Sequence, residues 1–475
     1  MSKTNTTTPG PRAQVCALVM AAGQGTRMHS DLVKVLHPLN GLPMAGHVLA
    51  LCRRLGVART LVVVGHQADR VREALAPLLS GVEFVLQAEQ RGTAHAVLTA
   101  EESLRGSRGE VLVINGDVPL LTDGLVEALL ATHRKARADA TLITTKLPNP
   151  TGYGRVLRDR RGGFRAIVEE AEATTRERRV QEINAGIYCF RAPRLFAALR
   201  KVRPSAVKGE LYLPEVLPIL GKDGGRIATV LAEDPREVLG INTRAELAEA
   251  YGILRRRVVD RLMREGVTCL DPDATHVSVL ATVGRDTTLY PNVQLEGRTA
   301  VGEGCTIHAG CRIRDSRLGD RVTVLDGCVI LESEIADLCA IGPYAHLRPE
   351  SRVRSRAKVG NFVELKKSVI GEGSKVPHLA YVGDAIVGDR VNIGAGTITC
   401  NYDGFSKHQT IIEDEVFIGS NASLVAPVRI GRGAIVAAGS TITSEVAPDA
   451  LAFGRALQVV KEGRAAEIRK TRGKR

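Results

Sequence analysis

The sequence contains no tryptophan, and phenylalanine and tyrosine together make up only 3% of it. Such a chain cannot build its core on aromatic clusters, and it has little from which to make the stacking platforms that hold single-stranded nucleic acid. No run of 18 consecutive apolar residues occurs, so no transmembrane helix is expected. The nine cysteines, Cys16, Cys52, Cys189, Cys269, Cys305, Cys311, Cys328, Cys339 and Cys400, include no Cys-x-x-Cys pair. No Cys/His group has zinc spacing either. An odd, scattered set reads as reduced thiols, and a cytoplasmic protein is expected. Residues 1–12 are polar, carry Pro9-Gly10-Pro11 and lack an apolar stretch before a cleavage site. A disordered tail is expected there, not a signal peptide.

What is abundant is glycine, with 48 residues, inside a chain of 475 that is 44% apolar. That length exceeds one ordinary core and implies two or more domains. The net charge is +13. Residues 461–475 hold seven Lys/Arg and two Glu, so the tail alone supplies +5 of it. The remainder is dispersed, which favours phosphorylated small molecules over nucleic acid as partners.

Three regions follow from periodicity. In the first, short apolar runs at 15–20, 60–64, 111–114 and 140–144 alternate with helical patterns at 43–55 and 93–104. Alternation of this kind predicts an α/β domain with a mostly parallel, Rossmann-like sheet. Ligands of such sheets sit beyond the carboxyl ends of the strands. The second region is one helix. Thr243 and Glu246 form a capping box, Leu247, Tyr251, Leu254, Val258 and Leu262 make one stripe, and Gly266 is the stop. In the third, Val283, Leu289, Leu295, Val301, Ile307 and Ile313 fall six residues apart. Ile418, Leu424, Ile430, Val436 and Ile442 do the same. The period shifts in between and resumes at Ile341, Leu347, Val353 and Val359. One aliphatic residue in every six, often followed by glycine, predicts a left-handed parallel β-helix of hexapeptide repeats. Residues 401–410 are polar and break the period, so they should leave the coil as a loop. The expected organisation is a tail (1–12), an α/β domain (13–243), a linker helix (244–266), a β-helix (267–455) and a basic tail (456–475).

After the first strand comes Gly23-Gln24-Gly25-Thr26-Arg27-Met28, with Lys34 beyond. Glycines free backbone N–H groups to surround phosphate, and Arg27 and Lys34 could neutralise it. The glycines alone read more commonly as a plain tight turn, since neither a Walker A loop nor Gly-x-Gly-x-x-Gly is present. Asp117 follows the strand at 111–114, either as a carboxylate facing the crevice or as a turn cap before Pro119.

The longer string is more specific. Gly-x-Gly-Thr-Arg-Met with Lys34-Val35-Leu36 is followed by LQAEQRGTAH (86–95), NGDVP (115–119), TGYGR (151–155), IVE (167–169), INAG (183–186) and Ile241-Asn242. This series resembles the sugar-1-phosphate nucleotidyltransferases. With GNFVELKK (360–367), Val376-Pro377-His378-Leu379-Ala380-Tyr381, NIGAGTITCNYDG (392–404) and Gly419-Ser420, the chain resembles the bacterial bifunctional uridyltransferase/acetyltransferases that make UDP-N-acetylglucosamine. The resemblance runs from Val15 to about Arg455. It implies that Gly23, Gly25, Arg27 and Lys34 serve the phosphates, and that Gln87, Gly92 and Thr93 contact uracil. Gly154, Glu169 and Asn184 would hold N-acetylglucosamine, and Asp117 and Asn242 would bind Mg²⁺. In the acetyltransferase half, His378 would be the general base, oriented by Glu364. Arg348 and Lys366 would hold the sugar phosphate, and Tyr381 and Asn392 the sugar. Asn401, Tyr402 and Ser420 would support the reacting groups, and Ala395, Ala438 and Arg455 would line the acetyl-CoA site. The implied co-substrates are UTP and acetyl-CoA, and the implied assembly is a homotrimer through the β-helix, with no nucleic acid and no membrane insertion. Gln24, Val33, Ala94, Asn115 and Pro377 depart from the family pattern.

Two other readings share these folds. One is a nucleotidyltransferase whose β-helix only regulates, as in the glucose-1-phosphate adenylyltransferases. The other is a non-catalytic subunit like the exchange factors of translation initiation. The His378 and Asn401 strings count against the first, and Asp117 with Asn242 against the second.

Overall fold

The computed structural model describes residues 15–106, 109–205 and 209–472. The tail expected at 1–12 lies outside them, and so do the last three residues of the basic tail. The chain divides into two compact units, residues 1–254 and 255–475.

In the first unit, nine strands form one sheet. They are β1 (Val15–Ala21), β2 (Arg59–Val64), β3 (Glu83–Leu86), β4 (Glu110–Asn115), β5 (Ala140–Lys146), β6 (Arg155–Arg158), β7 (Phe164–Val168), β8 (Glu182–Arg191) and β9 (Ile227–Ala232). The order is β9-β5-β8-β4-β1-β2-β3, with β6 and β7 attached beside β8. β1 runs parallel to β4 and β2, and β2 parallel to β3. β8 is antiparallel to both neighbours, so the sheet is mixed. β1 is buried at six of its seven positions, as a strand covered on both faces should be. Apolar clusters cover the two faces, one around Val19, Val62 and Ile114 and the other around Leu18, Leu61 and Val113.

Helices α1 (Met44–Arg54), α2 (Ala68–Leu75), α3 (Thr93–Thr99), α4 (Asp123–Lys135), α5 (Ala192–Leu199) and α6 (Val216–Lys222) flank the sheet. The pattern at 93–104 ends early as a helix. Ala100 N–H bonds to Val97 and Glu101 N–H to Leu98, so the backbone tightens into three-residue turns after Thr99, whose hydroxyl bonds back to the Ala96 carbonyl at 2.7 Å.

Helix α7 (Arg244–Arg264) starts in the first unit and ends in the second. Ala250 and Leu254 pack with Leu39, Met44, Leu120 and Ile241, while Val258 and Leu262 join the core of the second unit. The capping box is present: Glu246 N–H donates to Thr243 Oγ1 at 3.2 Å, and Thr243 N–H to Glu246 Oε2 at 2.9 Å.

The second unit is a left-handed parallel β-helix whose three faces are stacked sheets of 11, 10 and 9 short strands. Most coils take 17 or 18 residues, as the pairs Arg312↔Val329 and His276↔Gln294 show, and this variation shifts the six-residue period midway. The coil that carries the loop spans 25 residues from Ala385 to its partner Thr410, and the last spans 16 from Ile435 to Leu451. Val277, Leu295, Ile313, Ile330, Leu347 and Leu365 stack inward on one face, each at most 1% exposed. Outside run ion-pair ladders such as Glu296–Arg312 (2.9 Å) and Arg314–Glu332 (2.9 Å). Exposed pairs contribute about 0–1 kcal/mol each, whereas truncating one buried leucine costs about 2–5 kcal/mol, so the aliphatic stack holds the coil. Residues 401–409 leave the coil between the strands Ile398–Cys400 and Thr410–Ile412. After the last coil, helix α8 (Arg464–Arg472) has no buried residue.

Candidate active sites

Because β1 to β4 are parallel neighbours, their carboxyl ends share one edge, and the segments beyond them enclose a cavity of about 290 Å³. Gly23, Lys34, Gln87, Gly92, Thr93 and Asp117 all line it. Gly25 has φ 69, and a side chain there would strike that of Lys34. Gln87 is 3% exposed and donates through Nε2 to the Gly92 carbonyl at 3.1 Å. Gly92 has φ 106, and an added Cβ would lie 2.5 Å from the Leu211 carbonyl oxygen. Thr93 Oγ1 accepts from Leu213 N–H at 2.9 Å. Gln87, Gly92 and Thr93 are thus each tied to neighbouring backbone.

At the other end, Lys34 Nζ donates to Asp117 Oδ2 at 2.5 Å and to Asn242 Oδ1 at 3.0 Å. Asn242 Nδ2 is bonded to Gly240 O at 3.0 Å, which fixes the amide with its oxygen toward the lysine. Ile241 N–H bonds to the Asp117 carbonyl at 2.9 Å, tying the two backbones together. Arg27 is exposed in the turn Thr26–Met28 and does not line the cavity.

Gly154, Glu169 and Asn184 form a neighbouring group. Asn184 N–H donates to Gly154 O at 2.9 Å, and a Cβ on Gly154 would lie 3.1 Å from Glu169 Oε1. Asn184 sits at an irregularity in β8 and donates to the Tyr188 hydroxyl at 2.6 Å. Asn115 links the two groups: it lines the cavity, and its Nδ2 lies 2.7 Å from where a Cβ on Gly186 would be. Burial, with the Glu246 and Asp117 carboxylates near, raises the Tyr153 phenol above its usual pKa. A larger cleft, about 690 Å³, lies between the end of α3 and α5. It contains none of these residues, and its Arg200 is paired with Glu101, so its volume alone marks no chemistry.

In the second unit, Asn361 and His378 face each other on successive coils. Asn421 N–H bonds to the Ala395 carbonyl and Gly439 N–H to that of Ser420, so His378, Ala395, Ser420 and Ala438 occupy the same corner one coil after another. Successive strands stack about 4.8 Å apart, which leaves a column of small residues above the imidazole. Arg455 passes this column, its Cδ 3.7 Å from where a Cβ on Gly439 would be. His378 is exposed, and its Nδ1 bonds to Asn361 Oδ1 at 2.5 Å. With that oxygen accepting, Nδ1 carries the proton and Nε2 presents the lone pair. Glu364 does not orient His378 within the chain; it pairs with Arg348 at 2.8 Å.

The adjoining face carries Arg348 and Lys366 on consecutive coils. Lys366 Nζ lies 3.8 Å from Asp384 Oδ2. Asn401, 7% exposed, donates to Asp384 Oδ2 at 2.5 Å and to the Tyr381 hydroxyl at 3.4 Å. The protruding loop is braced by Asp403, which accepts from Phe405 N–H, Ser406 N–H and His408 Nε2. It brings Lys407 to Lys366, whose ammonium lowers the pKa of the newcomer. Tyr402 points to Gly404 in that loop. Asn392 begins a strand of the first face, whereas Tyr381 and Lys366 lie on strands of the second.

Sequence reasoning missed Asn361, Asp384 and Lys407. Asn361 stands one coil of 17 residues before His378, so counting coils could have found it. Nothing periodic announces Lys407.

Fold and sites define a two-part transferase, a nucleotidyltransferase α/β unit followed by a hexapeptide-repeat acyltransferase unit. Residues 17–185 match the MobA-like NTP transferase domain, and residues 409–444 match the hexapeptide repeat of succinyl-transferase. The chain is 49% identical over 446 residues to the bifunctional protein GlmU of Heliobacterium modesticaldum, an alignment covering 94% of this chain and 96% of that one. It is 48% identical to the GlmU of Listeria monocytogenes (95% and 98% covered) and 46% identical to that of Halalkalibacterium halodurans (94% and 97%). The chain belongs to the GlmU family, and it is a bifunctional enzyme with uridylyltransferase and acetyltransferase activities.

Proposed function

We propose that the two activities run at the two constellations just described, acetylation at the β-helix and uridylyl transfer at the α/β unit. The carrying observation is that each unit holds its own set of charged and proton-accepting groups, Lys34 with Asp117 and Asn242 in one, His378 with Asn361 in the other.

At the β-helix, the stacked cations Arg348 and Lys366, with Lys407, receive the phosphate of glucosamine-1-phosphate. Tyr381, held by Asn401, orients the ring. His378 Nε2 takes a proton from the 2-amino group as its nitrogen attacks the thioester carbon of acetyl-CoA, and CoA leaves. The small column Ala395, Ser420 and Ala438 gives the thioester room along the corner, with Arg455 beside it. Asn392 and Tyr381 lie on different faces, so a site using both takes one from an adjacent copy, which supports a homotrimer through the β-helix.

At the α/β unit, Gln87, Gly92 and Thr93 seat the uracil of UTP, and Gly154, Glu169 and Asn184 seat N-acetylglucosamine-1-phosphate. A phosphate oxygen of the sugar attacks the α-phosphorus, and pyrophosphate departs. Lys34, Arg27 and the N–H groups of Gly23 and Gly25 offset the charge. Asp117 Oδ2 and Asn242 Oδ1 present two hard oxygens to one cation, here the Lys34 ammonium. That donor set fits Mg²⁺, which takes few ligands from protein. Asp117 and Asn242 would hold it, and when bound it supplies charge neutralisation to the triphosphate. No helix among the described residues is long and apolar enough to cross a membrane; we place the enzyme in the cytoplasm.

A one-pot assay with glucosamine-1-phosphate, acetyl-CoA, UTP and Mg²⁺, following CoA and pyrophosphate separately, tests the reading. Both should appear as UDP-N-acetylglucosamine accumulates. Pyrophosphate released only when N-acetylglucosamine-1-phosphate is supplied, with no CoA, would reduce the β-helix to a scaffold.

A further inference from the structure

The capping box that starts α7 does more than begin a helix. In an ordinary box the acidic side chain reaches back to a single N–H, that of the cap residue. Here Glu246 Oε2 accepts from two, Thr243 N–H at 2.9 Å and Asn242 N–H at 2.6 Å. The extra and shorter bond grips the residue whose side-chain oxygen faces Lys34 and Asp117. Asn242 is therefore held at both ends: its backbone N–H by Glu246, its Nδ2 by Gly240 O. Only its Oδ1 is turned to the cation.

We infer that Glu246 is a positioning residue for the Asn242 oxygen, so that the cap of α7 and the geometry of the Mg²⁺ site are one device. The inference rests on the reading that Asp117 and Asn242 hold the metal. Partners that orient a ligand from behind typically change metal affinity about 10- to 100-fold. The two halves of the box are separable. Among the described residues Thr243 Oγ1 bonds only to Glu246 N–H and serves the helix, whereas the Glu246 carboxylate serves both helix and Asn242.

The test titrates Mn²⁺, as a spectroscopic probe, into the full chain saturated with UDP-N-acetylglucosamine, and reads free Mn²⁺ by electron paramagnetic resonance. Glu246→Ala is expected to weaken binding about tenfold or more. Glu246→Gln, whose amide oxygen still accepts both N–H groups, should restore most of it. Thr243→Ala, which weakens the cap alone, should bind as the parent does. Unchanged binding in Glu246→Ala, or equal losses in Glu246→Ala and Thr243→Ala, would overturn the inference and leave Glu246 a helix cap. Asp117→Ala tells the two readings apart: it should lose Mn²⁺, and if it binds normally the metal reading itself fails.

Discussion

In the first unit, Lys34 lies 83 residues from Asp117 and 208 from Asn242, yet the three meet at one ammonium. In the second, Asn361 and His378 are 17 residues apart and meet because they hold the same corner of consecutive coils. The α/β unit gathers its site by bringing the ends of parallel strands to one edge, so each functional side chain depends on a different loop. The β-helix lays out its site along a lattice, so each side chain depends on the coil beneath it. The first arrangement lets loops change without disturbing the sheet. The second gives fixed spacing and makes local chemistry sensitive to stacking.

The sharpest test of that separation is a reciprocal pair. Asp117→Ala should lower uridylyl transfer by about 10³-fold while acetyl transfer stays at the parent rate. His378→Ala should lower acetyl transfer by about 10²- to 10⁴-fold and spare uridylyl transfer. Separate initial rates decide it, and equal loss of both activities in either variant would break the two-site picture.

Next in size is the stack itself. Leu365 is fully buried and lies beside Leu347 and Val382 on neighbouring coils. Leu365→Ala should destabilise the β-helix by about 2–5 kcal/mol. Calorimetry should show the second unit melting earlier and the first unit melting as before, with uridylyl transfer intact below both transitions. Gly92→Ala is the counterpart in the loop-built site. Its φ of 106 and the nearby Leu211 carbonyl impose about 1–3 kcal/mol of strain, read as a rise in the KM for UTP of about tenfold with the fold retained.

The same contrast decides what was legible in the sequence. A six-residue period announces the β-helix because every side of each coil repeats one requirement, an inward aliphatic such as Ile313 or Leu347. The polar stretch after Cys400 stands out because it fails that requirement. In the α/β unit, strands and helices were legible from alternation, whereas the antiparallel insertion of β8 was not, since a buried strand has the same composition in either direction. The site strings marked Lys34, Asp117 and Asn242 as functional. They could not show Lys34 between the two oxygens, because that contact depends on how far three loops project. Asn361 escaped notice because partners across coils need the residue count of each turn, 17 between Asn361 and His378, and Lys407 because a loop outside the lattice has no period to follow.

Smallest is a difference in acid sensitivity. His47, bonded to the Leu39 carbonyl at 2.7 Å, and His133, bonded to Thr141 Oγ1 at 2.9 Å, are both buried, and burial pushes each imidazole below its usual pKa. His37 is shifted the same way by burial and by Arg244. A group whose folded pKa is lowered stays neutral in the fold while the unfolded chain takes up a proton. Its contribution is therefore complete above about pH 6.5 and is lost as pH falls toward the lowered folded value. The first unit has three such histidines. In the second, His276 is depressed by burial and Arg255, while Asp403 is held well below the carboxylate range by its N–H donors and His408 and titrates at far lower pH. Between about pH 7.5 and pH 5.5 the melting temperature of the α/β unit should drop more than that of the β-helix. His133→Gln, which keeps a hydrogen-bonding group against Thr141 and cannot titrate, should narrow the gap; a gap that stays the same would assign the acid sensitivity to other groups.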